Sequence, residues 1–390
     1  MSSESSTRII VTVRDLDLRG GRTSIEIIGS SNIMIEECDV GLYAGHMGIW
    51  ISGDYWHQGK RPSNHGVIRR CKIDSGYRLS YYYEKAQTED GIHLRNNAGY
   101  WEIYENEIRD WGHNAVSIVQ LDEETTVSHN KVYSNLMTAG DISYGRGVGV
   151  GGREGGAQYN EFYFNIIRNT TVPNQIGGDH NLFYYNIIDT VKNTSVYPEN
   201  VSPGIVLTPA MICCPGYVSN YNKIYNNVIY NTDGAGIEVE GWPTGFSIKY
   251  NEIKNNIILN CGKNSLYWNQ RNIGLYVFPS GWGENATATA TDNIFQNNII
   301  YNEGVEKVVS YNGTAMTADE FNGMNGTYND VISGNIQSDP RFVDPENLDF
   351  ALQYLSPAID AGVYVGLTRD FDGTPVPQGR TVDIGAYEYH

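Results

Sequence analysis

Six residues in one stretch of the chain could together move a proton beside a carboxylate: Asp90, His93, Arg95, His113, Tyr144 and Arg146. Histidine changes charge near neutral pH and tyrosine can donate from its phenol, so the set contains proton-transfer groups. Two guanidiniums among them supply fixed positive charge, which pairs with a carboxylate and makes the hydrogen on its α-carbon acidic. Removing that hydrogen while an acid serves a leaving oxygen is β-elimination; returning it on the opposite face is epimerisation. Hydrolysis needs other parts, two carboxyl groups about 5–5.5 Å apart for retention or about 6.5–9.5 Å for inversion. Candidates for those are Glu89, Asp90 and Asp141, with Glu238 and Glu240 as a separate pair. A lone histidine on a strand carries little meaning. The six become a site only if the fold gathers them.

The elements that must do so are written in a repeat. An apolar residue, two variable residues, Asn, one variable residue and then Ile or Val recur as IYENEI at 103–108, VSHNKV at 127–132, FYFNII at 162–167, FYYNII at 183–188, IYNNVI at 224–229, IKNNII at 253–258 and FQNNII at 295–300. IEECDV and IRRCKI place Cys38 and Cys71 in the same column. Reading that column as Cys38, Cys71, Asn106, Asn130, Asn165, Asn186, Asn227, Asn256 and Asn298 gives steps of 33, 35, 24, 35, 21, 41, 29 and 42 residues. Ragged steps of this size mark a solenoid whose units bury their apolar faces only against their neighbours. The column itself predicts an internal ladder of stacked Asn side chains.

Between the Asn strands lies a second strand of the form Gly-φ-x-φ: Gly48–Ile51, Gly91–Leu94, Ala115–Ile118, Gly147–Val150, Gly204–Leu207, Gly236–Val239 and Gly274–Val277. Alternation turns the aliphatic pair inward and the residue between them outward, giving Trp50, His93, Ser117, Gly149, Val206, Glu238 and Tyr276 along one wall. Strands one coil apart pair in parallel about 4.8 Å from each other, so three adjacent coils bring the six residues within roughly 10–15 Å. The bare Gly147–Gly152 strand beside them leaves a floor that a sugar ring can approach. Two insertions, around Trp56, Lys60 and Arg61 and around Tyr81, Tyr82 and Tyr83, are expected to overhang this patch and hold substrate. Trp50, Arg153, Glu238 and Tyr276 complete the expected substrate-binding set. His57, His65, His129 and His180 read as structural.

The Gly-φ-x-φ strands and the N-N-φ-I-x-N strands, as in Asn226–Asn231, resemble those of the right-handed parallel β-helix proteins of the pectate-lyase-like superfamily. The resemblance covers roughly residues 7–334. It implies an all-β fold, a solenoid of about nine to ten rungs with a C-terminal cap, divided as a catalytic domain over 1–335 and a capping segment over 336–390. Members include polysaccharide lyases, glycoside hydrolases, uronate epimerases and phage tailspikes, so the likeness implies a fold rather than a reaction. The tail motifs Asp339–Pro345, Ser356–Gly362 and Asp383–Tyr389 resemble the choice-of-anchor segment of secreted bacterial β-helix proteins. Phe342, Phe350, Leu352 and Ile384 are expected to cover the last rung, with the tail's Asp residues shaping turns rather than binding metal.

Composition narrows the partners. A net charge of −18 disfavours nonspecific nucleic-acid binding, yet leaves room for a polyanionic sugar in a locally basic groove. No window supplies the roughly 20 apolar residues of a membrane span. The polar start MSSESS lacks an apolar leader; a secreted or periplasmic protein, read here in its mature form, is expected. Cys38 and Cys71 should stack in the core as free thiols, a disulfide between them being the less favoured alternative. Taken together, these features predict a monomeric enzyme cleaving a uronate-containing polysaccharide or oligosaccharide by β-elimination. A glycoside hydrolase, a C5-epimerase and a noncatalytic glycan-binding rod are the alternatives. No cofactor is demanded, although Ca²⁺ is allowed by the resemblance.

Overall fold

In the computed structural model the described residues are 11–41, 47–53, 61–74, 90–122, 124–139, 145–192, 202–209, 216–241, 245–265, 270–280 and 287–390. Tyr144, Trp56, Lys60, Tyr81, Tyr82, Tyr83, Glu89, Asp141 and His57 lie outside them. The chain winds into a coil with three long sheets and a short corner sheet. The groove sheet runs from Thr23–Ile28 to Val309–Tyr311 in parallel and closes with one antiparallel strand, Thr314–Met316. A second sheet of eleven strands, Val11–Arg14 to Val331–Ser333, carries an outer column of tyrosines; a third of ten runs from Asp17–Arg19 to Ile299–Tyr301. Alternation sends one side chain of each coil to a shared interior, so Ile35, Ile68, Ile103, Val132, Phe162, Phe183, Ile224, Ile253, Phe295 and Ile332 stack in register, all buried.

Asn ladders hold the corners, and there are two rather than one. In the first, Oδ1 of Asn106, Asn135, Asn165, Asn186, Asn227, Asn256, Asn298 and Asn335 each accepts the backbone N–H of the residue one coil earlier. Asn130 belongs instead to a second ladder, Asn130, Asn160, Asn181, Asn222, Asn251, Asn293 and Asp330, at the other end of the same strands. Substituting Asn135 turns the steps of 24 and 35 into 29 and 30. Asn130 and Asn135 flank the strand Lys131–Tyr133; Asn130 fits the six-residue pattern, whereas Asn135 is followed by Met137 where the pattern has Ile or Val. Cys71 takes a place in the first ladder, donating its N–H to Asn106. Cys38, Cys71 and Cys261 are free and buried. Burial pushes the Cys71 thiol up to about 11.

Asp330 ends the second ladder where every other member is Asn. Burial pushes its carboxyl up to about 7, although Asn293 N–H and the Tyr311 hydroxyl donate to it. A raised carboxyl is favoured in its protonated form by the fold, so stability is full below the ordinary Asp range and falls as pH rises through that range toward 7. Asp330→Asn keeps the acceptor for Asn293, and its amide can donate to the Tyr311 oxygen, which itself donates to Thr327 O. The variant should therefore be more stable than the parent by on the order of 2 kcal/mol near about pH 8. The advantage should vanish near about pH 4, as read by urea midpoints.

The C-terminal cap has two parts. The short helix Ala318–Asn322, entered through a Thr317–Glu320 capping box, closes the last coil, with Phe321 packed on Phe295 and Tyr311. Phe342, Phe350, Leu352 and Ile384, expected over the last rung, lie instead along the side of the coil, against Ile187, Val228, Ile257 and Ile299. These four are the outward residues of the third sheet, whose outer column changes from Asp17, Asp39, Lys72 and Glu107 to Leu136, Ile166 and then the four aliphatics. Double Asn pairs occur where the tail docks. Asn226, Asn255 and Asn297 adopt positive φ and bond to the tail's backbone at Asp383, Gly385, Val363 and Ala361, while the second Asn of each pair stays in the ladder. Carboxylates of Asp360, Asp370, Asp383 and Glu388 receive backbone N–H groups within the tail, so its acidic motifs shape turns.

Candidate active site

Consecutive strands of the groove sheet bring the predicted residues together. Trp50, His93 and Ser117 are paired in register, as are Asn114 and Arg146, and Asp90 begins the strand that carries His93. Asp90 is the hub. Its Oδ2 lies 2.6 Å from His93 Nδ1; its Oδ1 lies 3.1 Å from His113 Nδ1 and accepts from both the backbone N–H and Nδ2 of Asn114, at 2.9 and 2.8 Å. Burial would raise this carboxyl, but the two imidazoles outweigh it and hold it well below the usual range. Asp90 is thus ionised at neutral pH, and both histidines point Nδ1 at it.

The opposite nitrogens differ. His113 Nε2 lies 3.2 Å from Arg146 Nη1, an obligate donor, so that nitrogen accepts, while its Nδ1 lies between Asp90 Oδ1 and Asn114 Nδ2, the latter 2.7 Å away. His93 Nε2 is buried and meets no hydrogen-bond partner among the described residues. Three more polar atoms around it share that condition: Trp50 Nε1, Ser117 Oγ and Asn114 Oδ1. Buried polar atoms are normally satisfied, so four orphans on adjacent rungs set this part of the groove apart. Arg95, two residues beyond His93, sets its guanidinium 5.4 Å from the centre of the Trp50 ring. Trp50, expected to stack on a sugar, thus offers one face to Arg95.

Gly149 forms the floor for a reason of packing. A Cβ there would stand 2.5 Å from Asn114 Oδ1, so only glycine lets the amide lie across that strand and reach Asp90. Gly149→Ala should displace Asn114 and cut turnover about tenfold or more while leaving the melt within a few degrees, since no core contact changes.

Other predicted residues lie elsewhere. Arg153 sits over Tyr217, with its N–H on Gln120 Oε1, and Arg61 is exposed just before Ser63–Asn64. Glu238 and Tyr276 face the groove farther along, paired with each other. Three parallel groove strands escaped sequence reading: Thr23–Ile28 and Val309–Tyr311 at the ends of the sheet, and Asn174–Ile176, entered through Pro173, which inserts Gln175 between Gly149 and Val206. His65, His129 and His180 stack with Tyr100, Tyr159, Tyr221 and Tyr250 in one outer column, centroids 4.8–5.3 Å apart, at a corner away from the groove.

The family model for the right handed beta helix region matches residues 2–135 and 90–277, well over half of the chain. The chain belongs to the right-handed β-helix family. No curated protein matches its sequence. Among solved structures, pectate lyase Pel9A is similar at 12% identity and a TM-score of 0.43, with 98% of each chain covered. The Dettilon tailspike protein matches at 14% identity and a TM-score of 0.46, over 77% of this chain and 57% of that one. DFA-IIIase from Arthrobacter chlorophenolicus A6 matches at 12% and 0.36, over 75% and 55%. The chain therefore spans little more than half the length of the latter two. Among the described residues, no helix of this β-helix protein is long and apolar enough to cross a membrane.

Proposed function

We propose that this β-helix protein is a carbohydrate-active enzyme, a lyase that cleaves a uronate-containing polysaccharide by β-elimination in the groove around His93. The observation that carries the reading is the orphaned His93 Nε2, opposite an Nδ1 that faces an ionised Asp90. With the proton held on Nδ1, Nε2 presents a lone pair that can take the hydrogen beside a uronate carboxylate. Arg95 or Arg146 pairs with that carboxylate and stabilises the charge that develops on it. The electron pair of the broken C–H bond forms the new double bond, and the glycosidic oxygen leaves with a proton from an acid, for which Tyr144 is the candidate, since both nitrogens of His113 are engaged.

Hydrolysis is less well served. Asp90 has both oxygens engaged and is held ionised, so it cannot act as the acid. Glu238 and Glu240 lie on one strand with their carboxyl groups in contact, rather than on opposite sides of a bond to be cleaved. Asp90 also has little to offer Ca²⁺, which takes six to eight oxygen ligands, because both of its oxygens are committed to nitrogen groups. Secretion or periplasmic location and a monomeric state belong to the same proposal.

Incubation with a panel of acidic and neutral polysaccharides tests it. New ultraviolet absorbance from an unsaturated uronate, together with new reducing ends, is the expected result. Reducing ends without that absorbance would establish a hydrolase, and binding with neither product a rod.

A further inference from the structure

Along the same wall, five strand spacings or roughly 24 Å from His93, the groove changes character. Glu238 and Glu240 project from one strand, Ile237–Glu240, and their carboxyl groups hydrogen-bond to one another. Two carboxyl groups in contact hold a proton between them, since both cannot be charged side by side. Two polar side chains beside them have unmet bonds. Thr208 follows Leu207, the partner of Val239, so it stands outward beside Glu240; it is 7% exposed and its Oγ1 has no partner among the described residues. Gln270, 4% exposed, donates Nε2 to Glu238 Oε2 at 3.0 Å, and its Oε1 has no partner among the described residues. Tyr276, paired with Glu238, lies parallel to Phe278 on the next strand.

We infer that this end of the groove is a second glycan site, built for an uncharged, hydroxyl-rich sugar residue of the same polymer that reaches His93. The inference rests on the lyase reading only for the identity of that polymer. An acid pair sharing a proton presents both an O–H donor and acceptor oxygens, and Thr208 and Gln270 add a hydroxyl and an amide oxygen. Sugar hydroxyls match that inventory; a uronate carboxylate would meet like charge. Ser117, Gly149, Gln175 and Val206 form the floor between the two sites, so one chain can lie across both. The substrate would then be a heteropolymer, uronate at the His93 end and neutral several residues away.

The pair should also make binding depend on pH. Burial raises both carboxyls, that of Glu238 well above its usual range. Tyr276 is the titratable neighbour on the following strand, and burial raises its phenol too; the preceding strand contributes Val206 and Thr208, which do not titrate. Raising the pH through the pair's titration puts a second negative charge beside the ligand hydroxyls and weakens binding.

A glycan array of neutral and uronate oligosaccharides, probed with the full chain carrying His93→Ala, tests this directly. Retention of neutral oligosaccharides that weakens at alkaline pH is expected. Thr208→Val with Gln270→Leu should weaken it at least about tenfold, whereas Glu238→Gln with Glu240→Gln should retain it without pH dependence. Failure to retain any neutral oligosaccharide, or retention unaffected by the Thr208→Val/Gln270→Leu pair, overturns the site. So does calcium binding, by titration calorimetry with CaCl₂, that disappears with Glu238→Gln/Glu240→Gln. Uronate cleavage by the parent is scored separately, so loss of the lyase reading and loss of this site give different results.

Discussion

Replacing His93 by Ala should lower turnover of a uronate polysaccharide by about 10²–10⁴-fold, the usual worth of a positioned general base. The melt should change little, because His93 lies on the outer face of the groove sheet and takes no part in the core or in either Asn ladder. Asp90 keeps three of its donor contacts, from His113 and from the backbone and side chain of Asn114, so the carboxylate stays satisfied. The separation of effects is the informative part. A variant that unfolds would say only that the histidine is structural, and a variant that turns over normally would remove it from the chemistry.

The opposite pattern is expected at Asn186. Its Oδ1 accepts the backbone N–H and Nδ2 of Asn165, and its Nδ2 donates to Phe162 O, Tyr184 O and Asn227 Oδ1. Asn186→Ala leaves several of these groups unpaired in a place water does not reach, at a cost of about 2–4 kcal/mol. Neighbouring coils depend on each other for burial, so the loss should spread and lower the denaturant midpoint of the whole solenoid. An unshifted midpoint would mean that the ladder follows the fold rather than holding it.

How much of this could be read from residue order varied with the physics of each element. The groove wall was legible at His93, His113 and Arg146, because strand alternation and a glycine-led pattern fix which residue faces out. Asn174–Ile176 was not, since polar Asn174 stands where the other strands carry an aliphatic, level with Ile205, and Pro173 stands where most carry Gly. The Asn column was misread at Asn130 because turns at both ends of the same strand want an amide, and at Asn135 it is Met137 that stands where the pattern has Ile or Val. The docking of the tail could have been found in the third sheet's outer column, where Glu107 gives way to Leu136 and then to Ile187, Val228, Ile257 and Ile299. An aliphatic on both faces of a strand needs two covers, and only the tail was left to supply the second. The orphans at Thr208 and Gln270 left no sequence signal, because burial without a partner is a property of packing alone.

The arrangement around Asp90 makes a geometric demand on any substrate. A crystal structure of the full chain with a uronate oligosaccharide product should place a carboxylate against the guanidinium of Arg95 or Arg146 and the adjacent ring carbon within reach of His93 Nε2. An oligosaccharide seated instead on the tyrosine column or the His129–Tyr159 corner, with no carboxylate near either arginine, would contradict the account.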